Sequence, residues 1–177
     1  NDPRFRISDL MGITNILYPP SDDVWASTAE SLFLGLALYI MDTSKLHGSF
    51  NVATIKKMRV SLGCLKDEET FMAHVKEREP FEPLSEDCIT HLRSFAQTSD
   101  KLRNSIGISF DQPLGIFSDP ITAKATASNS FDMRDVRKKR MSIYVVVKPA
   151  NIDKFGKFLN LFFQQLLVLN MDKLPQD

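Results

Sequence analysis

Residues able to carry out acid–base, nucleophilic or metal chemistry are few in this chain and widely spread. Its three histidines are His47, His74 and His91, and its two cysteines are Cys64 and Cys88. Neither set has the spacing of a metal site. A composite site built from distant residues is the alternative, but ordinary surface or capping roles are favoured. The thiols are predicted to be free, as in a reducing compartment. The G-x-S-x-G element and the G-x-x-x-x-G-K-[ST] phosphate loop are both absent from the sequence. We therefore expect no catalytic residue, metal or cofactor in this stretch.

A run of acidic residues is the first feature that could bind something. Between Lys66 and Asp87 there are eight acidic and three basic residues. Such a run is either an ordinary soluble surface or a docking face for a basic peptide, and adjacent carboxylates such as Glu68 and Glu69 also suit the start of a helix. The docking hypothesis selects six residues, Glu68, Glu69, Glu77, Glu79, Glu82 and Glu86.

A basic run lies further along the chain. From Asp132 to Arg140 there are five basic and two acidic residues. It could contact nucleic acid, but it is short and has no interleaved aromatic residues, so a solvated entrance to a buried strand is favoured. The residues concerned are Arg134, Arg137, Lys138, Lys139 and Arg140.

The composition is that of a folded protein without a charge preference. The 177 residues are 43% hydrophobic, and 22 basic residues balance 22 acidic ones. The net charge of zero recruits neither nucleic acid nor an anionic membrane. The strongest apolar stretches, Leu32 to Met41 and Phe158 to Leu169, are too short to span a bilayer, so no crossing of the membrane is expected.

Helices dominate the predicted elements. Seven are expected before residue 130, with N-caps at Asp22 or Asp23, Asn51, Asp67, Ser85, Ser99 or Asp100, and Asp119. The longest should carry Trp25, Phe33 and Leu36 on its buried face, against Leu92 and Phe95 of a later helix. Leu102, Ile106 and Phe110 should be the inward residues of the sixth helix. Gly35 should permit close packing of the long helix.

One strand is expected, and it lacks a partner. Met141 to Val147 is a β-branched apolar run, followed by an apolar helix from Asn151. A single strand cannot satisfy its own backbone hydrogen bonds, so its neighbours should lie outside these residues. We expect the chain to be a piece of a larger α/β protein.

Several segments resemble the coupling proteins of type IV secretion and conjugation systems, the VirD/TraG-type ATPases. They are Pro80–Cys88 (PFEPLSEDC), Leu114–Pro120 (LGIFSDP), the Trp25–Tyr39 helix, Asn160–Gln165 (NLFFQQ) and, above all, Phe131–Val145 (FDMRDVRKKRMSIYV). The resemblance covers most of the chain, and its most specific part is residues 131–165.

The resemblance implies a membrane-anchored, hexameric, RecA-like ATPase on the cytoplasmic face of the bacterial inner membrane. Its ATP and Mg²⁺ would be bound by a phosphate loop and a Walker B strand that this chain lacks, so the piece itself would not be an enzyme. Residues 1–20 and 131–177 would be parts of the nucleotide-binding domain, and residues 21–130 an all-α domain inserted in it. The overall class is mainly α, a helical bundle with a strand–helix piece. In the family the all-α domain recognises cargo, either secreted effector proteins or relaxase and accessory proteins. One alternative is direct action within the hexamer, in which Arg103, Arg134 or Arg137 would reach a neighbouring subunit's nucleotide. Another is direct contact of the basic run with single-stranded DNA.

Overall fold

The computed structural model of the chain describes residues 6–43, 52–126 and 131–171, and these form eight α-helices. They are α1 (Arg6–Leu17), α2 (Val24–Asp42), α3 (Val52–Ser61), α4 (Glu68–Arg78), α5 (Glu86–Ala96), α6 (Asp100–Asp111), α7 (Pro120–Ala125) and α8 (Ile152–Met171). Short 3₁₀ turns lie at Gly63–Lys66, Gly115–Ser118, Met133–Arg137 and Pro149–Asn151. The chain divides into two compact units, Asn1–Thr126 and Ala127–Asp177.

Helix α2 is the centre of the first unit. Asp23 begins it, because its carboxylate accepts the backbone N–H of Trp25 at 3.0 Å. The buried stretch includes Ala29 and then every residue from Leu32 to Ile40. Among the described residues this is the helix with the length and apolarity to cross a membrane. Its packing against α5 and α6 accounts for that composition.

Helices α2 and α5 run antiparallel and lie close together. The Cys88 thiol donates to the Gly35 carbonyl at 3.6 Å, and Ser31 Oγ lies 2.8 Å from His91 Nδ1. A Cβ on Gly35 would lie 2.9 Å from both His91 Cβ and Leu92 Cδ2. The predicted role of Gly35 in close packing is therefore confirmed. Phe33, Leu36, Leu92 and Phe95 are all buried, also as predicted.

The prediction that Trp25 and Leu102 belong to the core is wrong. The side chain of Trp25 is 38% exposed and that of Leu102 is 39% exposed. Trp25 lies in the first turn of α2 and Leu102 in the first turn of α6, so each precedes the buried stretch of its helix. Ile106 and Phe110, deeper in α6, are buried as predicted.

Helix α1 packs into the same unit as the helices that follow it. Arg6 pairs with Asp42 at 2.7 Å and donates to Ser85 Oγ at 3.0 Å. Tyr18, just after α1, donates to the Phe110 carbonyl at 2.8 Å and lies in ring contact with Phe33. Residues 6–18 thus contribute to this core, while the assignment of residues 1–20 to a neighbouring domain stays a prediction.

The N-terminal caps of the later helices follow the sequence pattern. Asp67, Ser85 and Asp119 each accept a backbone N–H of the helix that they precede. Ser99 precedes α6 without a side-chain cap bond. The predicted cap Asn51 lies outside the described residues.

The second unit is described from residue 131 to residue 171. The Asn170 amide of α8 donates to the Met133 carbonyl at 3.0 Å, which joins the helix to the turn Met133–Arg137. Met141 to Lys148 is irregular, and no described residue of this unit is buried or belongs to a strand. The predicted strand–helix piece of a RecA-like domain is therefore not confirmed, because a run of this kind pairs only where a second strand is present.

Candidate docking surface

The acidic residues of 67–87 are placed by α4, by the turn after it and by the start of α5. Asp67 accepts the Thr70 backbone N–H at 2.7 Å and so fixes the first turn of α4. Hydrogen bonds from the Thr70 side chain and backbone hold the pKa of Asp67 below its ordinary value. Glu68 and Glu69 follow in that first turn, and Glu86 occupies the first turn of α5. These positions favour negative charge, since backbone N–H groups point towards them.

The six predicted glutamates are not equivalent. Glu68 pairs with Arg93 of α5 at 2.6 Å, and this bond lowers the pKa of Glu68. Glu82 pairs with Arg78 at 3.0 Å, and both side chains are largely buried. These two carboxylates are therefore neutralised locally.

The other four glutamates carry the free negative charge. All four are exposed, and none of them forms an ion pair with a described residue; they are Glu69, Glu77, Glu79 and Glu86. Lys76, which precedes Glu77 in the sequence, is also exposed, and its positive charge offsets part of this negative charge. We call the exposed surface of Glu77 to Asp87 the acidic surface.

Arg78 fixes the base of the acidic surface to the core. Its guanidinium lies 5.7 Å from the centre of the Tyr39 ring, and the Tyr39 hydroxyl is 2.9 Å from His74 Nε2. Burial raises the pKa of Tyr39. Burial also lowers the pKa of His74, and the positive charge of Arg78 lowers it further. The turn after α4 therefore rests on a closely packed polar cluster.

That turn exposes an aromatic residue that was not among the predicted site residues. Phe81 and Glu82 both donate their backbone N–H groups to the Arg78 carbonyl, at 2.9 and 3.0 Å. The Phe81 side chain is 82% exposed. In the sequence, Phe81 stands among prolines and carboxylates, a pattern that could have indicated an exposed turn. Whether the phenylalanine itself is exposed depends on the fold.

Arg103 lies at the junction of α5 and α6. Its guanidinium donates to the carbonyls of Ala96, at 3.1 Å, and Thr98, and it pairs with Asp100. The side chain is 15% exposed. These bonds satisfy free carbonyls at the end of α5, which is a capping role.

The predicted basic contact residues of the second unit lie in and after its first turn. All five are exposed, namely Arg134, Arg137, Lys138, Lys139 and Arg140. Asp132 accepts from the first at 3.0 Å, and Asp135 pairs with Lys139 at 2.8 Å. The Asn170 carbonyl accepts from Arg137 at 2.5 Å. The segment therefore has both local partners and exposed charge.

The histidines and cysteines lie apart. His74 and His91 bond to different hydroxyls, of Tyr39 and Ser31, and burial lowers the pKa of each. Burial also raises the pKa of Cys64 and Cys88, which disfavours their thiolates. The part of the chain that the structure describes contains no group of three metal-ligating side chains, and His47 lies outside it.

Comparisons with known proteins agree on one family. Residues 1–177 match the family described as Type IV secretory system Conjugative DNA transfer. The chain is 32% identical to Protein VirD4 of Rhizobium radiobacter over 65 residues, which is 37% of this chain and 9% of that protein. It is 31% identical over 65 residues to Protein VirD4 of Agrobacterium fabrum (strain C58 / ATCC 33970) and of Rhizobium rhizogenes, again 37% of this chain and 10% of each relative. None of the solved structures matches the chain significantly.

Proposed function

The chain belongs to the type IV secretory system conjugative DNA transfer family, that of the coupling proteins, and we propose that its first unit recognises cargo for secretion. The cargo is a secreted effector protein, or a relaxase or accessory protein of the DNA-transfer complex. The unit binds the cargo at the acidic surface and delivers it to the secretion channel. No covalent chemistry is needed for this role.

One observation carries the proposal: the acidic surface has three exposed glutamates, Glu77, Glu79 and Glu86, that form no ion pair with a described residue. The chain as a whole has no net charge, so this concentration of negative charge is local. A single exposed ion pair contributes only about 0–1 kcal/mol and is screened by salt. Several glutamates must therefore act together beside apolar contacts.

The rest of the proposal concerns the whole protein. Because the matched stretch is about a tenth of the length of the VirD4 relatives, the whole protein's properties are inferred. We place ATP and Mg²⁺ binding and ATP hydrolysis outside these residues, in a whole protein that forms a hexamer. The whole protein acts at the cytoplasmic face of the bacterial inner membrane, and the isolated chain is a monomer without enzyme activity.

Charge reversal tests the role of the acidic surface. Glu77→Lys with Glu79→Lys should weaken binding of an arginine-rich peptide by about tenfold, and added salt should bring the wild type towards the same level. Both changes lie at the C-terminal end of α4, where positive charge favours a helix, so the fold should survive. The matched control, Asp9→Lys with Asp22→Lys, changes the net charge equally at exposed sites elsewhere and should bind as the wild type does. Because Asp9 lies in the first turn of α1, where positive charge is unfavourable, circular dichroism of this control is compared with that of the wild type. Equal loss in both variants would refute a local role.

A second candidate function rests on the exposed basic side chains of residues 134–140. In this alternative the segment contacts single-stranded DNA or a neighbouring subunit within the DNA-translocating hexamer. Lys138→Gln with Arg140→Gln should then reduce the salt dependence of oligonucleotide binding, since each phosphate contact contributes a slope of about 0.7. An unchanged slope would exclude these two side chains from DNA contact.

A further inference from the structure

Phe81 is the most exposed large apolar side chain that the structure describes in residues 6–126, at 82%. Its neighbours Pro80 and Pro83 are exposed as well, so the tip between α4 and α5 is mostly apolar. An exposed phenylalanine forfeits the favourable free energy of burial, and aromatic residues including phenylalanine are enriched at protein interfaces.

The tip is closed by local contacts that join it to the core. Two backbone hydrogen bonds to the Arg78 carbonyl close the turn, and the Arg78–Glu82 ion pair is largely buried beneath it. The same Arg78 lies over the Tyr39 ring of α2. Prolines on both sides restrict the backbone further. Binding through Phe81 would therefore order few additional groups, which favours affinity.

The charge around the tip selects the partner. Glu79 precedes it, and Glu86 and Asp87 follow it, all exposed. The remaining carboxylate, Glu82, is neutralised by Arg78. An exposed apolar side chain that exposed carboxylates precede and follow along the chain complements an apolar group flanked by positive charges.

We infer that Phe81 is the apolar anchor of the acidic surface, and that its ligand is a basic peptide segment in which an aliphatic side chain lies between arginines or lysines. This inference rests on the proposed function and specifies its ligand. The charges position the segment, and the contact with Phe81 separates an amphipathic basic peptide from one that is merely basic.

Two synthetic peptides of equal positive charge test the inference, one with arginines alternating with leucine and the other with serine. The full chain should bind the leucine peptide about tenfold more tightly, a difference of about 1.4 kcal/mol. Phe81→Ala should abolish that preference. The matched control Ile121→Ala removes a side chain that is 79% exposed on α7 of the same unit, and it should keep the preference. Thermal unfolding should be unchanged in both variants, because neither side chain is buried.

The outcomes separate the inference from the proposed function. Equal binding of the two peptides, reduced by Glu77→Lys with Glu79→Lys but not by Phe81→Ala, would overturn the anchor and leave charge-based docking in place. A leucine preference that needs Phe81 but is insensitive to the charge reversal would support the anchor and refute the acidic docking. Self-association that is lost in Phe81→Ala, without peptide binding, would assign the tip to a second copy of the chain and overturn the inference.

Discussion

Gly35→Ala should destabilise the first unit although alanine is the better helix former. In a helix interior alanine is favoured over glycine by about 1 kcal/mol. Here, however, the new methyl group would lie 2.9 Å from His91 Cβ and from Leu92 Cδ2. His91 Cβ is fixed to the α5 backbone, so α5 itself must move. Overpacking of this kind costs about 1–3 kcal/mol, so after the propensity gain the net loss should be up to about 2 kcal/mol.

Gly107→Ala provides the matched comparison. A Cβ at Gly107 would also lie 2.9 Å from its nearest neighbour, but that atom is Nη1 of Arg59, the far end of a flexible side chain. The guanidinium also pairs with Asp111 at 2.6 Å, so it must shift within that pair, but the α6 backbone need not move. Part of the propensity gain should therefore be kept. Two glycines with the same contact distance should thus differ in the sign of their effect.

Urea unfolding followed by far-ultraviolet circular dichroism measures both variants. We expect the midpoint to fall for Gly35→Ala and to stay or rise for Gly107→Ala, with the slope unchanged in each. A higher midpoint for Gly35→Ala would refute the close packing of α2 on α5, since nothing else should offset its propensity gain.

Three further predictions concern burial, pH and capping. Phe33→Ala should cost about 3–5 kcal/mol, whereas the half-exposed Trp25→Ala should cost clearly less; equal losses in urea unfolding would contradict the assigned face of α2. Burial lowers the pKa of His74 and of His91 in the folded state. The free energy of unfolding should therefore be highest above pH 6.5, about the pKa of histidine in the unfolded chain, and should fall as the pH drops towards the lower pKa values of the folded state. Unfolding midpoints from pH 8 to pH 5 test this, and His91→Gln should reduce the slope. Asp119→Ala should lower the free energy of unfolding by about 1 kcal/mol, and Asp119→Asn by less. Equal stability of all three proteins would show that the cap of α7 contributes nothing.

The helices were predictable because their signals are local. Asp67, Ser85 and Asp119 precede apolar patterns with helical spacing, and each indeed caps a helix. The wrong assignments of Trp25 and Leu102 have one cause. Helical periodicity identifies a face, but it does not show how far along the axis the core extends.

The surface was less predictable because it depends on contacts between distant residues. The pairing of Glu68 with Arg93 joins two helices, and the exposure of Phe81 follows from how its turn closes on Arg78. Neither contact leaves a periodic signal. Met141 to Val147 shows the converse problem, since its β-branched composition is clear but a strand requires a partner.

The most direct test of cargo recognition is to map the binding of the leucine–arginine peptide onto the chain. Amide chemical shifts of the isotope-labelled protein, recorded during a titration, report where the peptide binds. We predict that the largest changes lie between Glu77 and Asp87, with Phe81 among them. Changes confined to residues 131–140, or spread evenly over the helices, would contradict a docking role for the acidic surface.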